Sequence, residues 1–144
     1  RRAQYLGRWI RYSGWYPDRK LRLYDRRCAR WGDWKVHESI IPDGEVGILS
    51  GELLHYTCNS FRAHAQRVDR YTTLAAREMF ANGLSRTVFG RTLFPMWTFF
   101  NTYLLKFGIL DGYQGLIISF MASYYVYKKY KKLARLVKGE KFEG

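Results

Sequence analysis

The stretch Gly14-Trp15-Tyr16-Pro17-Asp18-Arg19-Lys20-Leu21-Arg22-Leu23-Tyr24, followed at a short distance by His37-Glu38, decides how the front of the chain reads. Pro17-Asp18 is turn chemistry, and Leu21 to Tyr24 alternate with period two as a strand does. Working outward, Lys35-Val36-His37 leads into Ile40-Ile41, and Leu53-Leu54-His55-Tyr56 makes a third strand-like run. Gly32-Asp33 and Pro42-Asp43-Gly44 supply the reversals between them. Residues 1–58 therefore read as short strands and turns.

From Ser60 the period changes. Ser60 is an N-cap, and Phe61, Ala65, Val68, Tyr71 or Thr72, and Ala75 recur at helical steps up to about Ala81, where Asn82-Gly83 ends the pattern. Arg62, Arg67, Arg70 and Arg77 occupy the other face of this amphipathic helix, set within residues 59–86. Residues 87–144 form a third region of apolar helices and a basic tail. Leu93 to Leu105 and Gly112 to Tyr127 carry no charge, and Lys128-Lys129-Tyr130-Lys131-Lys132, Arg135, Lys138 and Lys141 follow. Each run is short of the roughly twenty apolar residues of a spanning helix, and Phe107 to Tyr127 reaches that length only by accepting Asp111.

Charge narrows the partners. Lys and Arg number 25 against 12 Asp and Glu, a net +13, and 18% of residues are aromatic. Both nucleic acid and anionic lipid suit such a chain. The aromatics cluster inside the apolar runs while the lysines lie outside them, the arrangement of a segment held at an anionic membrane surface and not that of a nucleic-acid platform. Cys28 and Cys58 have no CxxC spacing, so neither a zinc site nor a disulfide framework is indicated.

The residues that carry chemistry are few. Glu38, at a strand end, suits a general base, although a lone carboxylate is equally a surface residue. His37, His55 and His64 match no metal signature; His55, just before the helix, is placed to approach a phosphate or a metal held by other residues. Arg19, Lys20 and Arg22 offer charge to a phosphorylated ligand. Trp15 and Tyr16 read either as a sugar platform or as core packing.

Five separated motifs then come into line: Trp9-Ile10-Arg11-Tyr12-Ser13-Gly14-Trp15-Tyr16-Pro17-Asp18-Arg19-Lys20-Leu21-Arg22-Leu23, Val36-His37-Glu38, Leu54-His55-Tyr56, Arg67-Val68-Asp69-Arg70-Tyr71 and Gly108-Ile109-Leu110-Asp111-Gly112. In this order, from about Tyr5 to Leu136, the chain resembles the C-terminal half of bacterial family 2 inverting glycosyltransferases, nearest the lipopolysaccharide inner-core beta-glucosyltransferases. The resemblance implies an α/β fold: the C-terminal portion of a GT-A, Rossmann-like domain, followed by amphipathic or apolar membrane-associated helices.

It also implies roles. Glu38 corresponds to the catalytic base; Trp15, Asp18, Arg19, Arg22, His37, His55, Arg67, Arg70 and Tyr71 correspond to the acceptor or diphosphate region. Arg67-x-x-Arg70-Tyr71 stands where relatives have Gln-x-x-Arg-Trp, which points to single-sugar transfer. The donor would be a nucleotide-sugar, a UDP-sugar by family habit, and the acceptor a lipid-linked saccharide at the cytoplasmic face of the bacterial inner membrane. A divalent metal, Mg2+ or Mn2+, would be held by an Asp-x-Asp motif. No such triplet occurs here, and the chain opens on Arg1-Arg2 with no initiator Met or signal pattern, so we expect a piece of a longer protein, inactive by itself, with no metal site of its own unless His55 contributes. The alternative is a stand-alone basic membrane-associated accessory or binding protein without catalytic activity.

Overall fold

A computed structural model describes residues 1–32, 40–84 and 88–140. Five short strands come first: β1 (Arg2–Tyr5), β2 (Arg8–Trp9), β3 (Ala29–Trp31), β4 (Ile40–Pro42) and β5 (Leu54–Cys58). Leu6 and Gly7, with φ of 47° and 80°, close the β1–β2 hairpin in the left-handed conformation that a two-residue turn between twisted strands requires. β5 pairs parallel to β1 on its other side, giving a sheet of order β2-β1-β5, and β3 and β4 form a separate antiparallel ribbon. The fold is mixed α/β. One parallel strand pair occurs among the described residues, and no doubly wound Rossmann-like sheet is built from them.

Leu21 to Tyr24 do not form a strand. Leu23 points into solvent and no neighbouring strand accepts the segment's backbone, so alternation there has nothing to pair with.

The first helix, α1 (Phe61–Ala81), begins where Ser60 turns its side chain back to accept from the Ala63 amide at 3.2 Å. It ends at Asn82, after which Gly83 takes a φ of 72°. α1 buries Val68, Thr72, Thr73 and Ala76. Helix α2 (Val88–Phe100) contains Pro95 and widens into a π-helical turn over Asn101–Leu105; a 3-10 turn over Gly108–Asp111 then leads into α3 (Gly112–Val137). Pro95 lacks the amide that would continue the ladder, and its own carbonyl accepts from Ser123 Oγ of α3 at 2.8 Å. Gly90 permits this approach, since a Cβ there would fall 2.2 Å from the Tyr130 ring.

The basic run is not a tail. Lys128 to Val137 continue α3 without a break, and Leu133 and Ala134 are buried within it. Lys132 Nζ reaches across to Asp69 Oδ1 at 2.9 Å, the Asp69 carbonyl at 2.7 Å and Thr73 Oγ1 at 2.7 Å, while Lys128 Nζ meets the same carboxylate at 2.9 Å. These lysines lock α1 to α3.

The sheet is joined to the helices through Asp111. This carboxylate is 2% exposed and accepts three hydrogen bonds of 3.0 Å, from the Arg11 and Tyr12 amides and from Ser13 Oγ. The Ser13 amide in turn donates to the Lys106 carbonyl at 2.9 Å. A buried charge demands such company. Beneath it, Tyr5, Ile10, Cys58 and Ile118 form the core between sheet and α3.

One face remains uncovered. Phe89, Leu93, Met96, Trp97, Leu105, Phe107, Ile109, Leu110, Tyr113 and Phe120 are all exposed along α2, the two turns and the start of α3, with Met96 at 70%. No single helix among the described residues is long and apolar enough to cross a membrane; Phe89–Leu105 and Gly108–Val137 reach that length and composition only together, bent by 70° at their junction.

Candidate functional site

The strands bring several of the expected residues to one place. Parallel pairing sets His55 beside Ala3, so its half-buried ring lies on the side of the sheet that faces α1, away from Leu54 and Tyr56. Among the described residues, the charges of Arg1, Arg67 and Arg22 and of the acidic Asp18 are felt at the ring. Burial chiefly lowers the His55 pKa from 6.5, the fields of Arg1, Arg67 and Arg22 lower it further, and Asp18 opposes them.

Arg67 is held by its own geometry. It projects from the second turn of α1, and Nη2 donates to the Thr57 carbonyl at the end of β5 at 3.1 Å. One side of the guanidinium is thereby fixed, and the rest faces the His55 side of the sheet. The neighbouring His64 is held by the Tyr5 hydroxyl, which lies 2.7 Å from Nδ1 and donates to it when the ring proton is on Nε2, with the rings edge to face at 5.3 Å. Burial pushes Tyr5 up to about 12, and burial followed by the charge of Arg67 lowers His64. Both shifts favour the neutral pair.

Asp18 is already engaged. Its carboxylate pairs with Arg1 Nη2 at 2.5 Å and lies 3.7 Å from Lys20 Nζ. These groups are therefore a largely cationic set whose acid is neutralised, a charge that suits an anion with several oxygens. Among the described residues no group of three His, Cys, Asp or Glu side chains converges.

Other expected residues stand apart. Trp15 is half-buried and meets Tyr5 edge to face at 5.5 Å, packed on the core cluster; that contact realises the packing alternative. Arg19 is exposed. The Arg70 guanidinium lies over the Tyr71 ring at 5.3 Å, on the exposed side of α1 and one turn beyond Arg67. His37 and Glu38 lie outside the described residues.

Sequence reasoning gave no role to Arg1, and it named His64 and Asp111 without the contacts they make with Tyr5 and with Arg11, Tyr12 and Ser13. Only Asp111 had a signal, a single carboxylate between two uncharged runs, and such a group in an apolar setting needs donors from elsewhere in the chain.

Comparison with known proteins finds a similarity to a glycosyltransferase. Over 126 residues, 81% of this chain, it is 26% identical to the lipopolysaccharide core biosynthesis glycosyltransferase LpsC of Rhizobium meliloti (strain 1021), of which the match covers 47%. This is a distant relationship to a glycosyltransferase. The chain spans about half the length of the curated relative it matches. No family model matches, and no solved structure does.

Proposed function

We propose that the chain is the acceptor-side, C-terminal part of a family 2 inverting glycosyltransferase of GT-A fold, which transfers a sugar from a nucleotide-sugar to a lipid-linked saccharide in lipopolysaccharide or other cell-envelope glycan synthesis. The observation that carries the reading is the similarity to LpsC along 81% of the chain. The positive charge of Arg1, Arg67 and Arg22 felt at His55 supports it, because a nucleotide-sugar presents a diphosphate.

In this reading Glu38 accepts the proton of an acceptor hydroxyl. The oxygen attacks the anomeric carbon, the bond to the diphosphate breaks on the opposite face, and the configuration inverts. Arg67 and its neighbours hold the phosphate oxygens that gain charge. A divalent metal, Mg2+ or Mn2+, and the nucleotide belong to the remaining half of the domain. The uncovered face of the sheet, with Leu54 and Tyr56 more than half exposed, supports a further layer packing there.

The exposed apolar face and the +13 charge support a peripheral or monotopic position on the anionic cytoplasmic face of the inner membrane, where confinement raises the effective concentration of a lipid-anchored acceptor.

The test uses the full-length gene product with radiolabelled UDP-sugars and membrane extracts. Glu38→Gln is expected to lower kcat by about a thousandfold with donor KM little changed. Near-normal turnover removes Glu38 as base. A full-length product that carries no nucleotide-binding half and transfers no sugar returns the chain to the accessory-protein class.

A further inference from the structure

A second basic site lies at the β1–β2 hairpin. Between the β1–β2 hairpin and the 3-10 turn is an open cavity of about 530 Å3, lined by Gly7, Arg8, Trp9, Arg11, Tyr12, Leu110 and Asp111. Its size is within the roughly 300–1,000 Å3 of small-molecule sites.

The polar lining has a defined charge state. Arg8 and Arg11 make no ion pair among the described residues; Arg8 Nη2 makes only a long contact of 3.4 Å with the Leu110 carbonyl. Asp111 also borders the cavity, but both its oxygens are occupied by the Arg11 and Tyr12 amides and Ser13 Oγ. The carboxylate thus holds the backbone of the site and leaves Arg8 without an acidic partner among the described residues, while Arg11 also lines a second cavity with Arg2, Tyr16 and Glu52.

The cavity opens beside the exposed apolar turn. Phe107, Ile109, Leu110 and Tyr113 are each at least half exposed, and Tyr12 meets Phe107 edge to face at 6.5 Å. Charge and apolar surface meet along one line, which is the profile of a lipid: an anionic head joined to hydrocarbon.

We propose that this cavity binds the phosphomonoester head of a membrane lipid, clamped between Arg8 and Arg11, with the acyl chains lying against Phe107, Leu110 and Tyr113. An unblocked phosphate offers the oxygens that two bidentate guanidiniums need, whereas a phosphodiester bearing glycerol or choline offers fewer. The indole of Trp9 and the ring of Tyr12 suit the headgroup level of a bilayer. The site deepens the membrane-facing reading above and rests on that part of it, not on sugar transfer.

The experiment is flotation of the full-length protein with vesicles of phosphatidylcholine containing either phosphatidic acid or phosphatidylglycerol, matched for surface potential. The wild type is expected to bind the phosphatidic acid vesicles about tenfold more tightly, and Arg8→Gln/Arg11→Gln to lose that preference while binding phosphatidylglycerol within about twofold of wild type. Arg8→Lys/Arg11→Lys keeps the charge without the fork and should lose most of the preference. Equal binding of both vesicles by the wild type, or a preference that survives in the glutamine variant, overturns the site and leaves the membrane reading standing. Absence of binding to either vesicle overturns both. Calorimetry with glycerol 3-phosphate separates the sources: equal affinity for this soluble phosphate, with the same arginine dependence, assigns the cavity to a soluble ligand and overturns the lipid assignment.

Discussion

Gly115 of α3 presses against the carbonyl of Gly108: a Cβ built on Gly115 falls 1.8 Å from that oxygen. Neither partner can yield, because Gly108 itself is boxed by the Thr102 carbonyl, 2.7 Å from where its own Cβ would stand. Backbone meets backbone here, and the turn into α3 exists in this form only while both positions are glycine.

Gly115→Ala is therefore expected to destabilise the protein by about 3 kcal/mol, the upper end for overpacking. Gly44→Ala, where a Cβ meets nothing within 4 Å, serves as the control and should leave the urea midpoint unmoved.

Asp111→Asn should cost about 2 kcal/mol and Asp111→Ala about 3 kcal/mol, since three donors lose a charged acceptor and the Arg11 and Tyr12 amides are left unpaired. Amide exchange at those two residues reads the effect directly. Unchanged protection in the alanine variant would show that the carboxylate does not hold the segment.

The two lysines at Asp69 should differ. Lys132, 12% exposed with three acceptors, is expected to cost about 1 kcal/mol as Lys132→Met, and Lys128, 27% exposed, less than about 0.5 kcal/mol as Lys128→Met. Salt should weaken the Lys128 contribution more than that of Lys132.

His55 and His64 both titrate below 6.5 in the fold, so the unfolded chain binds more protons in the interval between the folded and unfolded values. Stability should accordingly fall as pH drops below about 6.5 and level off once both folded values are passed. The Asp69 carboxylate, held low by Lys128 and Lys132, adds a separate loss only below its ordinary value of 3.8. Arg67→Gln should raise both histidine values in an NMR titration and flatten the first decline. Unmoved imidazole resonances would place Arg67 elsewhere.

What the sequence made readable was local. Ser60 caps α1 because its hydroxyl needs only the amide three residues on, and Asn82-Gly83 ends it by backbone preference alone. The run Leu54 to Tyr56 became a strand because β1 lay ready to pair with it, whereas Leu21 to Tyr24, with the same alternation, found no partner. The end of the apolar run at Tyr127 looked like the end of a helix; α3 instead continues, because every fourth residue, Lys128 and then Lys132, meets Asp69 of a helix 59 or 63 positions away. The clustering of Arg22, His55 and Arg67 was legible through resemblance, but the neutralising Arg1–Asp18 pair and the Tyr5–His64 pair depend on tertiary approach.

The Asp111 junction has a mechanical meaning. It bolts the segment after β2 to the entrance of α3, two residues beyond the apolar Ile109, so the turn and the sheet move as one piece. A force on the exposed turn at Ile109 is thereby passed to the backbone that follows β2.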